Sequence, residues 1–156
     1  MPMLSDSKKW DHASPDEQLA WISAQADDAL EVVGHGSGWY NYSPDFPWPE
    51  QRNETLANMR AESCRPNKSG LQPGRYSLEL GNREVPDPFE AAKRLRAHWI
   101  AQGWTVSDIV PLGSTKTPID YFRADREDGA MLSFDAGELH VSLYIQSSCS
   151  DLNLTN

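Results

Sequence analysis

The second half of the chain constrains the fold most, because apolar and polar residues alternate there in short segments joined by short turns. Strands are predicted over 105–112, 119–124, 130–135 and 138–146. The last of these strands places four apolar side chains on one face, which is predicted to be the core face: Leu139, Val141, Leu143 and Ile145. Strands that follow one another through such short turns form antiparallel sheets.

Two capping sequences predict helices. Ser14-Pro15-Asp16-Glu17 combines an N-cap serine, a proline at the first helical position and a glutamate at the third, so a helix is predicted over 15–33. Asp87-Pro88-Phe89-Glu90 opens a second predicted helix that runs to Gln102, with Leu95 and Trp99 on its buried face. Gly103 fits the left-handed position that ends a helix.

The order of these elements predicts an α+β two-layer sandwich, with a mainly antiparallel sheet of about five strands and two main helices on one side. A flexible N-terminal arm is expected over 1–13, followed by a single domain over 14–156. Within that domain a helix covers 14–33 and a long loop region covers 34–74, with a short helical stretch at about 50–62. A β-α-β-β-β unit follows over 75–149, beginning with the strand RYSLEL.

The two cysteines, Cys64 and Cys149, lie 85 positions apart. Both are outside the predicted strands and in polar surroundings, whereas free cysteines usually behave as small buried hydrophobic residues. If the flanking strands are near each other in the sheet, the two side chains come within bridging distance. A disulfide between Cys64 and Cys149 is therefore predicted, and it implies an oxidising compartment. Two free thiols in a reducing cytosol are the alternative.

Charge and hydropathy exclude some partners. The net charge is −9, and nucleic-acid binding needs clustered lysine and arginine, so no nucleic-acid partner is expected. No apolar run approaches the roughly 20 residues of a membrane-spanning helix, so no transmembrane segment is expected. The start of the chain, MPMLSDSKKWDHASP, lacks the apolar core of a secretory signal. A monomer is expected.

The most unusual segment is WYNYSPDFPWP at 39–49, in which aromatic residues stand among three prolines. A rigid loop that presents aromatic faces suits sugar stacking or peptide capture. The candidate ligand-binding residues are Trp39, Tyr40, Tyr42 and Trp48. The alternative is that these rings cover one edge of the core, and substantial exposure of at least two of Trp39, Tyr42 and Trp48 would argue against it.

No arrangement of residues predicts catalysis or metal binding. GHGSG at 34–38 follows a helix and has His35 where a nucleophile elbow needs glycine, and it lacks the lysine of a phosphate loop. The four histidines show no metal-ligand spacing. No catalytic residue, metal ligand or cofactor is therefore assigned.

Several segments taken in order resemble small secreted proteins and lipoproteins of actinobacteria, most of them of unassigned function. The resemblance covers nearly the whole chain, although no single motif in it is specific. The matching segments are ALEVVGHGSGW, AESC, RYSLEL, DPFEAAKRLRAHWIAQGWTV and SSCS. The resemblance implies that the two cysteines pair and that a leader or lipid anchor precedes the domain, although this sequence has neither signal peptide nor third cysteine.

These features predict a non-catalytic extracytoplasmic binding or interaction domain, stabilised by one disulfide, with an unknown protein or cell-envelope ligand. The alternative is a cytosolic acidic immunity or antitoxin-like protein whose negative surface binds a basic toxin. The oxidation state of the cysteines distinguishes the two.

Overall fold

The computed structural model describes residues 12–65 and 69–156. These residues form three helices and two antiparallel sheets, which confirms the predicted α+β class. The helices are α1 (Pro15–Val33), α2 (Arg52–Ala57) and α3 (Pro88–Ala101). The strands are β1 (Glu62–Ser63), β2 (Gln72–Arg75), β3 (Ser77–Asn82), β4 (Thr105–Val110), β5 (Asp120–Asp125), β6 (Met131–Ala136), β7 (Val141–Gln146) and β8 (Ser150–Thr155).

Both predicted helix starts are confirmed by their capping contacts. The Glu17 N–H donates to Ser14 Oγ and the Ser14 N–H donates to the Glu17 carboxylate, each at 3.1 Å, so α1 begins with a reciprocal capping box. At α3 the Glu90 N–H donates to the Asp87 carboxylate at 3.1 Å. Each cap satisfies main-chain donors that have no partner inside the helix.

Helix α3 ends as the sequence predicts. Gly103 has a φ of 95°, a left-handed conformation that costs a glycine little. The Gly103 N–H donates to Ile100 O and the Trp104 N–H donates to Trp99 O, each at 3.0 Å. This pair of bonds is a Schellman motif, and the Trp104 side chain that follows it is buried.

The larger sheet has five strands in the order β3-β7-β6-β5-β4. Alternate residues of β3, β6 and β7 point into the core beneath α1 and α3, where Leu80, Phe134 and Leu143 are fully buried. Leu95 and Trp99 of α3 are also buried, and the Trp99 ring meets Phe122 edge-on at 5.7 Å. Helices α1 and α3 cover one face of this sheet, as predicted.

A second sheet of three strands, in the order β1-β2-β8, is absent from the sequence prediction. It places regular structure in the predicted loop region at 34–74 and adds a strand after the predicted end of the β-α-β-β-β unit. The buried Gln18 side chain of α1 joins the helix to this sheet: its amide donates to Gly74 O and Ser148 O, and its oxygen accepts from Asn153.

Other element bounds are also corrected. The short helical stretch predicted at about 50–62 is confined to α2, which ends at Ala57. Strand β7 begins at Val141 instead of 138, because a four-residue turn at 137–140 precedes it, and Leu139 is therefore 84% exposed rather than part of the core face. Of the predicted N-terminal arm, only His12 and Ala13 lie within the described residues. His12 contacts Asp151, and the Ala13 carbonyl accepts a bond from Ser150.

Candidate functional site

The two tryptophans of the aromatic segment lie in the core. Of Trp39, Tyr42 and Trp48, only Tyr42 is substantially exposed, so the exposure of at least two that a ligand site was expected to show is not found. Trp39 and Trp48 are each 1% exposed. The Trp39 indole N–H donates to His35 O at 2.6 Å, and the Arg52 guanidinium lies over the Trp48 ring at 5.0 Å. Neither ring presents a face to a ligand, and both anchor the segment to the domain.

Tyr40 connects the aromatic segment to the edge of the five-stranded sheet. Its N–H and carbonyl exchange hydrogen bonds with Gly81 of β3, at 3.0 and 2.9 Å. A β-carbon at position 81 would lie 2.9 Å from the Tyr40 ring, so glycine is needed there for the two chains to approach. The Tyr40 hydroxyl is 3.1 Å from His140 Nε2, and the residue is 9% exposed.

Tyr42 and Phe46 are the exposed aromatic residues of this segment. A turn closed by the Asn41 N–H to Phe46 O bond, at 2.9 Å, carries both. Tyr42 is 86% exposed and has a φ of 67°, which is rare for a residue other than glycine or asparagine. Phe46 is 50% exposed. Of the four predicted ligand-binding residues, only Tyr42 has an exposed side chain, and Phe46 was not singled out from the sequence.

A groove of about 710 Å³ lies between this turn, α2 and strand β3. Tyr42, Phe46 and Tyr144 supply aromatic surface and Met59 supplies a half-buried apolar side chain. Volumes of this size are typical of small-molecule sites and of the pockets that hold a few residues of a peptide. The remaining lining is polar: Asn41, Gln51, Glu54, Thr55, Asn58, Arg60, Glu62, Ser77 and Glu79, with Ala61.

The groove is acidic. Glu54, Glu62 and Glu79 line it, against the single cation Arg60. All four residues are exposed, and the whole chain carries a net charge of −9. A cationic ligand therefore meets favourable charge both in the groove and in the field of the whole molecule.

The face of the sheet opposite the helices continues from this groove. A second depression of about 510 Å³ shares Glu79 and Tyr144 with it and extends over Tyr121 and Asp135. Burial raises the pKa of Asp135, although the nearby charge of His140 opposes the shift. Burial also lowers the pKa of His140, and the charge of Arg83 acts in the same direction. Asp135 and His140 are thus half-buried, although no helix of the described residues covers this face of the sheet.

The predicted disulfide between Cys64 and Cys149 is present, and the two Cα atoms are 6.2 Å apart. Cys64 directly follows β1, and Cys149 directly precedes β8. Cys149 was expected to follow the last strand, but strand β8 comes after it. The bridge therefore joins the two outer strands of the three-stranded sheet, rather than two loose segments.

Among residues 12–65 and 69–156, no three of the histidine, cysteine and carboxylate side chains are placed to hold a metal ion. His98 contacts Asp28 at 2.8 Å, and His140 contacts Tyr40. No helix within the same residues is long and apolar enough to cross a membrane.

Comparison of the chain with known protein families, with curated proteins and with solved structures found no match to any of them. Any function proposed for the chain therefore rests on the groove and the disulfide.

Proposed function

We propose that this chain is a non-catalytic binding domain that works in an oxidising compartment outside the cytoplasm and holds its ligand in the groove beside β3. The observation that carries the proposal is that the aromatic segment at 39–49 has both buried and exposed rings. Trp39 and Trp48 fix the segment in the core, while Tyr42 and Phe46 of the same segment stand exposed at the groove. Exposed aromatic side chains held on a rigid support are typical of binding surfaces.

The disulfide supports the extracytoplasmic part of the proposal, because such bridges persist where the environment is oxidising. The resemblance to actinobacterial secreted proteins and lipoproteins adds a second part to the proposal, namely that a leader or lipid anchor precedes this domain. The acidic charge favours the cytosolic immunity protein as the second candidate. Alkylation of free thiols in intact producing cells separates them: two blocked cysteines support the first candidate, and two alkylated cysteines support the second.

The binding part is tested by NMR titration of isotope-labelled protein with two ligand sets, peptides selected from a displayed random library and oligosaccharides released from cell walls. A ligand of the groove is expected to shift the amide signals of residues 41–62 and 77–79. The double variant Tyr42→Asn/Phe46→Ser should weaken its binding at least tenfold, because it removes both exposed rings. Asparagine suits the left-handed backbone at position 42.

Leu112→Ser is the matched control, since Leu112 is 59% exposed and lies outside the groove. It should leave binding unchanged. Ligands that bind the double variant as well as the parent protein, or the absence of any shift in the groove with either set at millimolar concentration, would overturn the proposal.

A further inference from the structure

The outer edge of strand β3 is paired at one end, where Gly81 meets Tyr40, and is open over Ser77 and Glu79. Tyr76, Leu78 and Leu80 direct their main-chain groups toward β7: the Ser147 N–H donates to Tyr76 O, and the antiparallel register alternates from there. Ser77, Glu79 and Gly81 consequently direct theirs outward. Gly81 is paired with Tyr40.

Ser77 and Glu79 face the groove between two neighbouring segments that turn away. On one side the left-handed backbone of Tyr42 carries the aromatic segment off the edge, after the Asn41 side chain has donated to Glu79 O at 2.9 Å. On the other side β1 pairs with β2 only, through Glu62 opposite Arg75 and Ser63 opposite Gly74. Among the described residues, no other group bonds the outward N–H and carbonyl groups of Ser77 and Glu79.

An open strand edge commonly pairs with another extended chain, and sheet proteins usually blunt such edges. The opposite edge of this sheet, β4, is blunted by an irregularity in its pairing between Asp108 and Val110. At β3 the Tyr40 bridge performs this role for Gly81 but leaves Ser77 and Glu79 accessible from the groove. Main-chain donors and acceptors in an aromatic-lined groove match an extended peptide better than a sugar.

We propose that the groove binds a basic, extended peptide segment, which adds as a short strand to β3 at Ser77 and Glu79. This inference rests on the proposed binding function and specifies its ligand. Three free main-chain groups are available, the two N–H groups and Ser77 O, and the Glu79 carbonyl has a second lone pair beside its bond to Asn41. A segment of three residues spans them, because alternate residues of a strand pair with the same edge.

The two sides of the groove specify alternating side chains. Glu79 and Tyr144 lie on the uncovered face of the sheet, since they alternate with the buried Leu78, Leu80, Leu143 and Ile145. Met59 packs against the core on the other side. Side chains of an added strand point alternately to these two sides, so lysine or arginine would face Glu79 while small apolar residues would face Met59.

The probe is a nine-residue peptide in which lysine and valine alternate between glycine-serine ends. Amide hydrogen exchange and NMR titration with this peptide at low salt should show shifts in the groove and slowed exchange at the Ser77 and Glu79 amides. Those two amides report strand addition directly, because side-chain contacts alone leave them exposed to water. Binding should weaken steeply as salt is added.

Two altered peptides separate the parts of the inference. Methylation of the central main-chain nitrogens, which removes donors and leaves side chains in place, should weaken binding at least tenfold. Replacement of every lysine by glutamate should abolish binding. In the protein, Glu62→Gln/Glu79→Gln should weaken binding of the lysine peptide about tenfold, the combined effect of two exposed charge pairs. The matched control Glu127→Gln/Glu138→Gln changes two exposed carboxylates outside the groove and should have little effect.

The outcomes distinguish this inference from the proposed function. Groove binding by cell-wall oligosaccharides but not by the lysine peptide would overturn the inference and leave the binding function standing. Equal binding of the glutamate peptide, or groove binding with unchanged exchange at Ser77 and Glu79, would also overturn the inference alone. No ligand of either class in the groove would overturn both.

Discussion

Neighbouring residues of one helix can contribute very differently to the stability of the domain. Trp99 is 1% exposed, whereas Ile100 beside it in α3 is 56% exposed. Trp99→Ala should lower the free energy of unfolding by about 3–5 kcal/mol, because it leaves a cavity beside Phe122. Ile100→Ala should change it by less than about 0.5 kcal/mol. Denaturant titration measures both, and a loss below about 1 kcal/mol for Trp99→Ala would mean that the helix packs differently.

Two arginine–aspartate pairs with the same sequence spacing provide a second residue-scale comparison. The Asp128 carboxylate is 1% exposed and contacts Arg126 at 2.7 Å, and this guanidinium lies over Trp21 and Trp104. Arg123 and Asp125 are also 2.7 Å apart, but both are about two-fifths exposed, at 43% and 42%. Burial is therefore the main difference between them.

Removal of the buried aspartate should lower the free energy of unfolding far more than removal of the exposed one. Asp128→Ala leaves the Arg126 charge without its partner and the Ala130 N–H without its acceptor, so a loss of about 3 kcal/mol is expected. Asp125→Ala should cost about 1 kcal/mol or less, since water screens the exposed pair. Thermal and denaturant unfolding of the two variants provide the test, and equal losses would refute the distinction.

At the scale of elements, the contact between the aromatic segment and the sheet should depend on pH. The pKa of His140 is lowered in the folded chain, so protonation favours the unfolded state. Its contribution to stability is present above its unfolded pKa of about 6.5 and is lost as the pH falls below that value toward the folded pKa. The raised pKa of Asp135 acts oppositely at lower pH, where protonation of that carboxyl favours the folded state.

His140→Gln removes the titration and keeps a polar side chain near Tyr40. Between pH 7.5 and 5.5 the parent protein should lose more stability than this variant, and the difference between the two curves isolates His140 from the other histidines. Urea titrations at several pH values measure it. Parallel curves would show that protonation of His140 is not linked to folding.

The elements also show which parts of this structure a sequence reveals. Helices α1 and α3 were predicted to within one residue, because serine or aspartate caps, prolines and glycines act on their immediate neighbours. The three-stranded sheet was missed because β1 has only two residues, because the QPGR of β2 contains proline, and because β2 pairs with β8 far along the chain. Pairing of Gln72 with Thr155 leaves no local signal.

The candidate site was predictable only in part for the same reason. Composition marked the aromatic segment as unusual, and the segment does line the groove through Tyr42 and Phe46. The exposed rings could not be told from the buried ones, because Tyr40 and Trp39 differ little in sequence context from Tyr42. The edge at Ser77 and Glu79 is open because the two flanking segments turn away from β3. The sequence of β3 itself contains no signal for this.

At the scale of the whole molecule, the disulfide closes a loop of 86 residues, counted from 64 to 149 inclusive. Loop-closure entropy predicts that it stabilises the domain by about 4–5 kcal/mol, which is comparable with the total stability of many small domains. The double variant Cys64→Ser/Cys149→Ser should therefore unfold at much lower denaturant concentration. Reductant should have the same effect on the parent protein and none on the variant, and a parent protein insensitive to reductant would contradict the estimate.

The antiparallel pairs of β2 with β8 and of β3 with β7 have a consequence for how the chain folds. The residues of β2 and β3 are synthesised more than sixty residues before the strands that pair with them, since Leu78 lies opposite Ile145 and Pro73 opposite Leu154. Until those last segments appear, the apolar side chains of β3 have no sheet to join, and folding that depends on such distant contacts is slow. A nascent chain therefore cannot complete either sheet until residues 141–155 have been synthesised.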